Sequence, residues 1–135
     1  MAELPPRLNV KLHRPHTILV VDDNAAVRNL SLTLLRRCGF RTLEAFDGES
    51  GLSIFQRHQR DVDLVLTDVM MPKVSGPQMI EKILESNPSV KVVFMSGTPG
   101  ISSLPKRRGR EFPIIHKPFG AEKLTTCIRE CLEMD

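Results

Sequence analysis

The stretch Asp63-Leu64-Val65-Leu66-Thr67-Asp68-Val69-Met70-Met71-Pro72 decides the fold. Leu64, Val65 and Leu66 form a short, continuous apolar run. Such a run, flanked by residues that end regular structure, suits a strand buried on both faces of a parallel sheet. It stops at a single acid, Asp68. In open α/β sheets the carboxyl ends of the strands form the rim where ligands bind. Pro72 then takes the chain out of regular pairing, and Ser75-Gly76 marks a turn before the next helix. One acid at a strand tip says little by itself. Its weight depends on what the other strand tips carry.

Toward the amino terminus, Ile18-Leu19-Val20-Val21 has the same buried character and ends at Asp22-Asp23-Asn24. Asp or Asn there can also cap the helix that follows. Val27, Leu30, Leu34, Leu35 and Cys38 recur at helical spacing, and Gly39 ends that helix. Residues 40–46 read as a second strand, Asp47-Gly48 as a turn, and a helix carrying Leu52, Ile54 and Phe55 runs to about Gln59. The strand over 63–67 is the third. A helix over 77–85 places Met79, Ile80, Ile83 and Leu84 on its apolar face, and Asn87-Pro88 stops it. Residues 90–95 form a fourth strand that ends at Ser96-Gly97. From 98 to 111 the pattern is broken by Pro99, Gly100, Pro105 and Gly109, which leaves at most a short helix over 102–108. Residues 112–116 read as a fifth strand ending at Lys117-Pro118. A last helix over 121–133 buries Leu124, Ile128, Cys131 and Leu132.

Strands thus alternate with helices, which with short, right-handed connections gives a parallel sheet covered on both faces. The expected architecture is a flavodoxin-like (βα)5 three-layer sandwich with strand order 2-1-3-4-5. That order makes the first and third strands neighbours. It sets Asp22 and Asp23 beside Asp68, with Ser96 and Lys117 on the other side. Residues 1–15, rich in proline and basic groups, are expected to be a tail or linker, and 16–135 the domain.

Composition bounds the function. The chain has 135 residues, 41% hydrophobic and 26% charged, which suits one globular domain. No apolar run reaches the roughly 18 residues of a membrane span, and Met1-Ala2-Glu3-Leu4-Pro5-Pro6 lacks the apolar core of a secretory signal. A cytoplasmic location without membrane insertion is the resulting expectation. The three cysteines, Cys38, Cys127 and Cys131, show no metal-type pairing. Cys127 and Cys131, one helical turn apart, read as small apolar residues on a buried stripe. The net charge of +3 is partly concentrated in Lys106-Arg107-Arg108-Gly109-Arg110, which reads as a solvated loop. With six Phe and neither Trp nor Tyr, there is no aromatic platform for stacking on single-stranded bases. Direct nucleic-acid binding is not expected.

Acids crowded at one rim raise one another's pKa unless a cation shares the site. A hard divalent ion such as Mg²⁺, with oxygen ligands and retained waters, answers that need. Asp23 and Asp68 are expected to ligate it directly, Asp22 mainly through water, and the backbone carbonyl of Met70 to add a ligand. Lys117 supplies a point positive charge and Ser96 a hydroxyl donor, both suited to a phosphoryl oxygen. Together they form a cradle for phosphoryl transfer, with Asp68 as the nucleophile that becomes an acyl phosphate. Met70 and Met71 could cover the site, the Met70 side chain shielding the acyl phosphate from water.

The chain resembles a receiver domain of the two-component response regulators. The matching motifs are Val20-Val21-Asp22-Asp23-Asn24, Leu66-Thr67-Asp68-Val69-Met70-Met71-Pro72, Met95-Ser96-Gly97 and Lys117-Pro118-Phe119. The resemblance spans about 17–133, and the wording around Met70-Met71-Pro72 is similar to receivers joined to hybrid histidine kinases. It implies that Asp68 is the phosphoacceptor, that Asp22 and Asp23 are metal acids, that Ser96 is a switch hydroxyl and that Lys117 is the family's lysine. It also implies a sensor histidine kinase or histidine phosphotransfer protein as donor, and a monomer or weak homodimer. Ile114 departs from the pattern, since receivers often carry Tyr or Phe three residues before the lysine. Two rivals stand beside this reading. One is a degenerate receiver that binds proteins without phosphotransfer, favoured by Ile114 and the broken stretch before it. The other is a metal-dependent phosphatase with an aspartyl nucleophile, opposed by Met70 and Asn24 where a second acid would sit.

Overall fold

Alternation along each buried strand sorts side chains onto two faces, and each face needs its own cover. In the computed structural model, which describes residues 15–98 and 103–133, that cover is helical on both sides. The strands are β1 (Thr17–Val21), β2 (Arg41–Ala45), β3 (Val62–Asp68), β4 (Lys91–Ser96) and β5 (Ile114–His116). The helices are α1 (Ala25–Arg37), α2 (Gly48–His58), α3 (Gly76–Ser86) and α4 (Ala121–Glu133). All strand pairs are parallel, in the order β2-β1-β3-β4-β5. Leu19, Val21, Val65, Val92 and Phe94 face α2 and α3, meeting Phe55, Met79, Ile80 and Ile83. Ile18, Val20, Leu64, Leu66, Val93 and Met95 face α1 and α4, meeting Leu32, Leu35, Leu124 and Ile128.

The helix ends follow the local chemistry. The Asn24 side chain accepts the Val27 amide and starts α1, and Asp47 starts α2 through a reciprocal pair with Ser50. Ser75 and Gln78 do the same for α3, with Pro77 in its first turn. Gly39, at φ 91°, closes α1. Its amide donates to Arg36 and the Phe40 amide to Leu35, so the last carbonyls of the helix are satisfied. Two details depart from the helical spacing read in the sequence. Leu30 is 49% exposed, while Ser31 and Leu32 turn inward, and the Ser31 hydroxyl has no partner among the described residues.

The connection from β4 to β5 keeps the broken character read in its sequence. No helix forms over its described part, residues 103–113, and Ser102 lies outside the described residues. Arg107 and Arg110 instead exchange backbone hydrogen bonds of 3.0 and 2.9 Å. Between them Arg108 and Gly109 take φ 52° and 76°, the two left-handed positions of a type I′ turn. The arginines are not a free solvated cluster. Arg107 and Arg108 pair with Glu81 of α3, and Arg110 donates to the carbonyls of Pro88 and Val90. The Arg110 guanidinium also stacks on Phe112, 4.8 Å from the ring centroid.

Gly76 fixes α3 against the end of β3. Its amide donates to the Val69 carbonyl at 2.9 Å, and a Cβ there would fall 2.1 Å from the Asp68 carbonyl oxygen. Backbone cannot yield as a flexible side chain can. Gly76→Ala is therefore expected to lower stability by about 2–3 kcal/mol, measured by urea unfolding. An unchanged midpoint would mean that α3 is not anchored in this way.

Candidate functional site

β1 and β3 are neighbours, so their carboxyl ends lie side by side. Asp22 follows β1 directly and Asp68 is the last residue of β3. Lys117 follows β5, on the far side of β4, and its stem runs over Gly97. It reaches across that gap to place Nζ 3.0 Å from Asp22 Oδ2 and 3.1 Å from Asp68 Oδ2. One ammonium thus bridges two acids from neighbouring strand ends.

Asp22 is fully buried and held on every side. Oδ1 accepts the Asn24 amide at 2.9 Å, and Oδ2 takes Lys117. Its own amide donates to the Ala45 carbonyl at 3.2 Å, and its carbonyl accepts from Arg28 Nη1 at 2.8 Å. Asp23 is exposed. Asp68 is 8% exposed, and its carboxylate also accepts the Met70 amide.

The charges do not cancel evenly. Burial raises the Asp68 carboxyl above its ordinary value of 3.8, and the nearby Asp22 charge adds to this. The charge and hydrogen bond of Lys117, with the Met70 amide, oppose but do not reverse the shift. For Lys117 burial alone would lower the ammonium pKa. Hydrogen bonds and charges from Asp22 and Asp68 outweigh it and leave Lys117 above its usual 10.5. The cation, shared between two anions, is held more firmly than Asp68.

Carboxylate oxygens of Asp22, Asp23 and Asp68 all lie within 4.8 Å of one another. This all-oxygen set, with one exposed member, fits a hard divalent cation that keeps some of its waters. Both Asp22 oxygens carry hydrogen-bond partners and Asp68 accepts from Lys117 and Met70, so the exposed Asp23 has the most free capacity.

Of the residues singled out from the sequence, Asp22, Asp23, Asp68 and Lys117 come together. Ser96 is at the next strand tip and 2% exposed, but its hydroxyl is engaged within its own loop. It accepts the Thr98 amide at 3.2 Å and lies 3.4 Å from the Thr98 carbonyl. Met70 contributes its amide to Asp68, while its side chain is 64% exposed. Met71, in contrast to its expected covering role, packs into the core beneath α2 and α3. The sequence reading missed Arg28 and its partner Glu44. The available signal was their position: Arg28 lies one turn into the helix that starts beside Asp22.

A doubly wound sheet with clustered acids and a lysine at its carboxyl rim belongs to the open α/β class, whose ligands bind outside the carboxyl ends of the strands. The model of the response regulator receiver domain matches residues 18–129. Sensor kinase CckA of Brucella abortus (strain 2308) is 32% identical over 120 residues, 87% of this chain and 12% of that protein. A probable transcriptional regulator, ycf27 of Guillardia theta, is 30% identical over 128 residues, 93% of this chain and 48% of that protein. The chain therefore spans about half or less of these relatives. Among solved structures, a response regulator receiver domain protein from Clostridium thermocellum superposes with TM-score 0.80 at 28% identity, covering 87% of this chain and 94% of that one. The receiver domain of the hybrid histidine kinase CckA gives 0.74 at 32% identity, covering 87% and 99%. The chain belongs to the response regulator receiver domain family. No helix among the described residues is long and apolar enough to cross a membrane.

Because the folded state raises the Asp68 pKa, ionising Asp68 costs stability. That cost is fully present above the folded-state pKa and fades as pH falls toward 3.8. Asp68→Asn is expected to raise the thermal midpoint of metal-free protein at pH 7 by a few degrees, about 1 kcal/mol for removal of a buried charge that Lys117 offsets only in part. The advantage should shrink as pH falls through the carboxylate range. A lower midpoint at pH 7 would show that the Lys117 pairing outweighs desolvation.

Proposed function

We propose that this domain accepts a phosphoryl group on Asp68 in a Mg²⁺-dependent reaction and thereby changes its binding partners. The observation that carries this reading is the Lys117 ammonium bridging Asp22 and Asp68. A structural ion pair needs one acid per cation. This rim gathers three acids around one lysine, leaving spare anionic capacity for a metal ion and a waiting cation for phosphate.

In this reading an Asp68 carboxylate oxygen attacks the phosphorus of the donor. The new O–P bond forms as the bond to the donor's leaving nitrogen or oxygen breaks, and the leaving group takes a proton. Bound by Asp23 and Asp68, with the Met70 carbonyl as a candidate further ligand, Mg²⁺ would neutralise phosphoryl charge. Asp22 orients Lys117 and would assist the metal through water. Lys117 follows the charge that builds on the phosphoryl oxygens. Ser96 would leave Thr98 to donate to the same group, biasing the loop that follows and so the partner-binding surface.

The donor is a phosphohistidine of a sensor kinase or phosphotransfer protein. The relatives named sensor kinase and transcriptional regulator are in keeping with it. The domain helps to catalyse its own modification and turns over no external substrate.

Incubation with acetyl phosphate and MgCl₂, followed by intact mass, tests the proposal. The expected result is one added phosphoryl group, absent in Asp68→Asn and without Mg²⁺. Lys117→Met should slow its formation by about a hundredfold, as for loss of one preorganised charge donor. No mass gain in the wild type would favour a binding module without phosphotransfer, and turnover of added phosphoesters would favour a phosphatase.

A further inference from the structure

Asp23 is the one acid of the cluster whose carboxylate finds no partner among the described residues. Its direction must come from the backbone. The peptide that carries Asp23 is the Asp22–Asp23 unit, and the carbonyl of that peptide is the acceptor for Arg28 Nη1 at 2.8 Å. The same guanidinium donates from Nε to Glu44 Oε1 of β2 at 3.1 Å. The Arg28 side chain is 16% exposed, while its partner Glu44 on the edge strand β2 is 49% exposed. Its own amide closes the first turn of α1 onto the Asn24 carbonyl at 2.9 Å. Arg28 therefore spans from β2 to the turn that follows β1, starting from the first turn of the helix that the turn leads into.

We propose that Arg28 is a positioning residue for the metal site, acting through Glu44 to fix the peptide plane from which Asp23 projects. This rests on the reading of Asp22, Asp23 and Asp68 as a cation site. Glu44 holds the guanidinium through Nε, and Nη1 of the same rigid fork holds the Asp22 carbonyl, so that carbonyl cannot turn away without breaking its bond. With that carbonyl held, the backbone of Asp23 stays where its carboxylate oxygen lies within 4.8 Å of one from Asp68. Groups behind metal ligands commonly change affinity by about 10–100-fold when removed.

The sign of the effect separates this role from a plain charge effect. Arg28 is a cation near the acids. If only its charge mattered, removing it would make the rim more negative and strengthen cation binding. If it positions Asp23, removing it weakens binding despite the lost repulsion. The measurement is calorimetric titration of the full chain with MgCl₂, since the protein has neither Trp nor Tyr to report by fluorescence. Arg28→Ala is expected to weaken Mg²⁺ binding roughly tenfold. Glu44→Gln, which keeps the acceptor but not the charge, should fall between it and the wild type. Arg28→Lys, which keeps the charge but loses the fork, should resemble Arg28→Ala more than the wild type. Metal-free thermal midpoints measured alongside identify any variant that fails to fold, and Arg28→Lys then carries the test, wild-type affinity in it overturning the proposal.

Unchanged or tighter Mg²⁺ binding in folded Arg28→Ala overturns the proposal. Wild-type protein that binds no Mg²⁺ overturns the cation-site reading beneath it, which is a separate and recognisable outcome.

Discussion

The rim of this domain depends on one ammonium group held between two carboxylates. Asp22 is inaccessible to water and Asp68 nearly so, and two such acids side by side would repel strongly in a medium that screens poorly. Lys117 makes their proximity tolerable without cancelling it. The residual imbalance falls on Asp68, whose charged form remains disfavoured, while Lys117 is secured from both sides. A site balanced in this way is left incomplete by the protein itself. Under the proposed function, that imbalance is what a metal ion and a phosphoryl group on Asp68 would relieve.

The scaffold works to keep those groups where they are. Parallel pairing puts the β1 and β3 ends in adjacent positions, and the two hydrophobic layers fix the strands from both faces. Gly76 lets α3 begin against the Asp68 carbonyl, and four hydrogen bonds hold Asp22. Opposite that rigid half, the Ser96 hydroxyl is secured by longer, part-buried bonds of 3.4 and 3.2 Å to Thr98. Farther along, three arginines fasten the same connection to α3 and to the approach to β4, where a helix was not found among the described residues. Rigid acids beside a more lightly held hydroxyl are what a site with two states would require.

Much of this was legible in the chain because buried parallel strands leave a strong signature. Continuous apolar runs ended by Asp22, Asp68, Ser96 and Lys117 gave both the sheet order and the members of the rim. What was not legible had physical reasons. Periodicity marks a face but not its rotation, so Leu30 was read as buried when Ser31 and Leu32 face the core. A run of arginines has no periodic signal at all, and its pairing with Glu81 depends on tertiary contact across 26 residues. The I′ turn was hidden because Arg108 occupies a left-handed position usually given to Asn or Gly. Hydroxyl direction and the role of Arg28 likewise arise from hydrogen-bond geometry that residue type does not encode.

The Lys117 bridge also joins distant parts of the chain, 95 residues from Asp22 and 49 from Asp68. During synthesis both acids emerge well before their shared counter-ion. A nascent chain that stops short of β5 would have to bury like charges together or leave its central strands unpacked. Loop closure over such separations is entropically slow. The last strand thus brings the one cation that settles two acids laid down long before it in the chain.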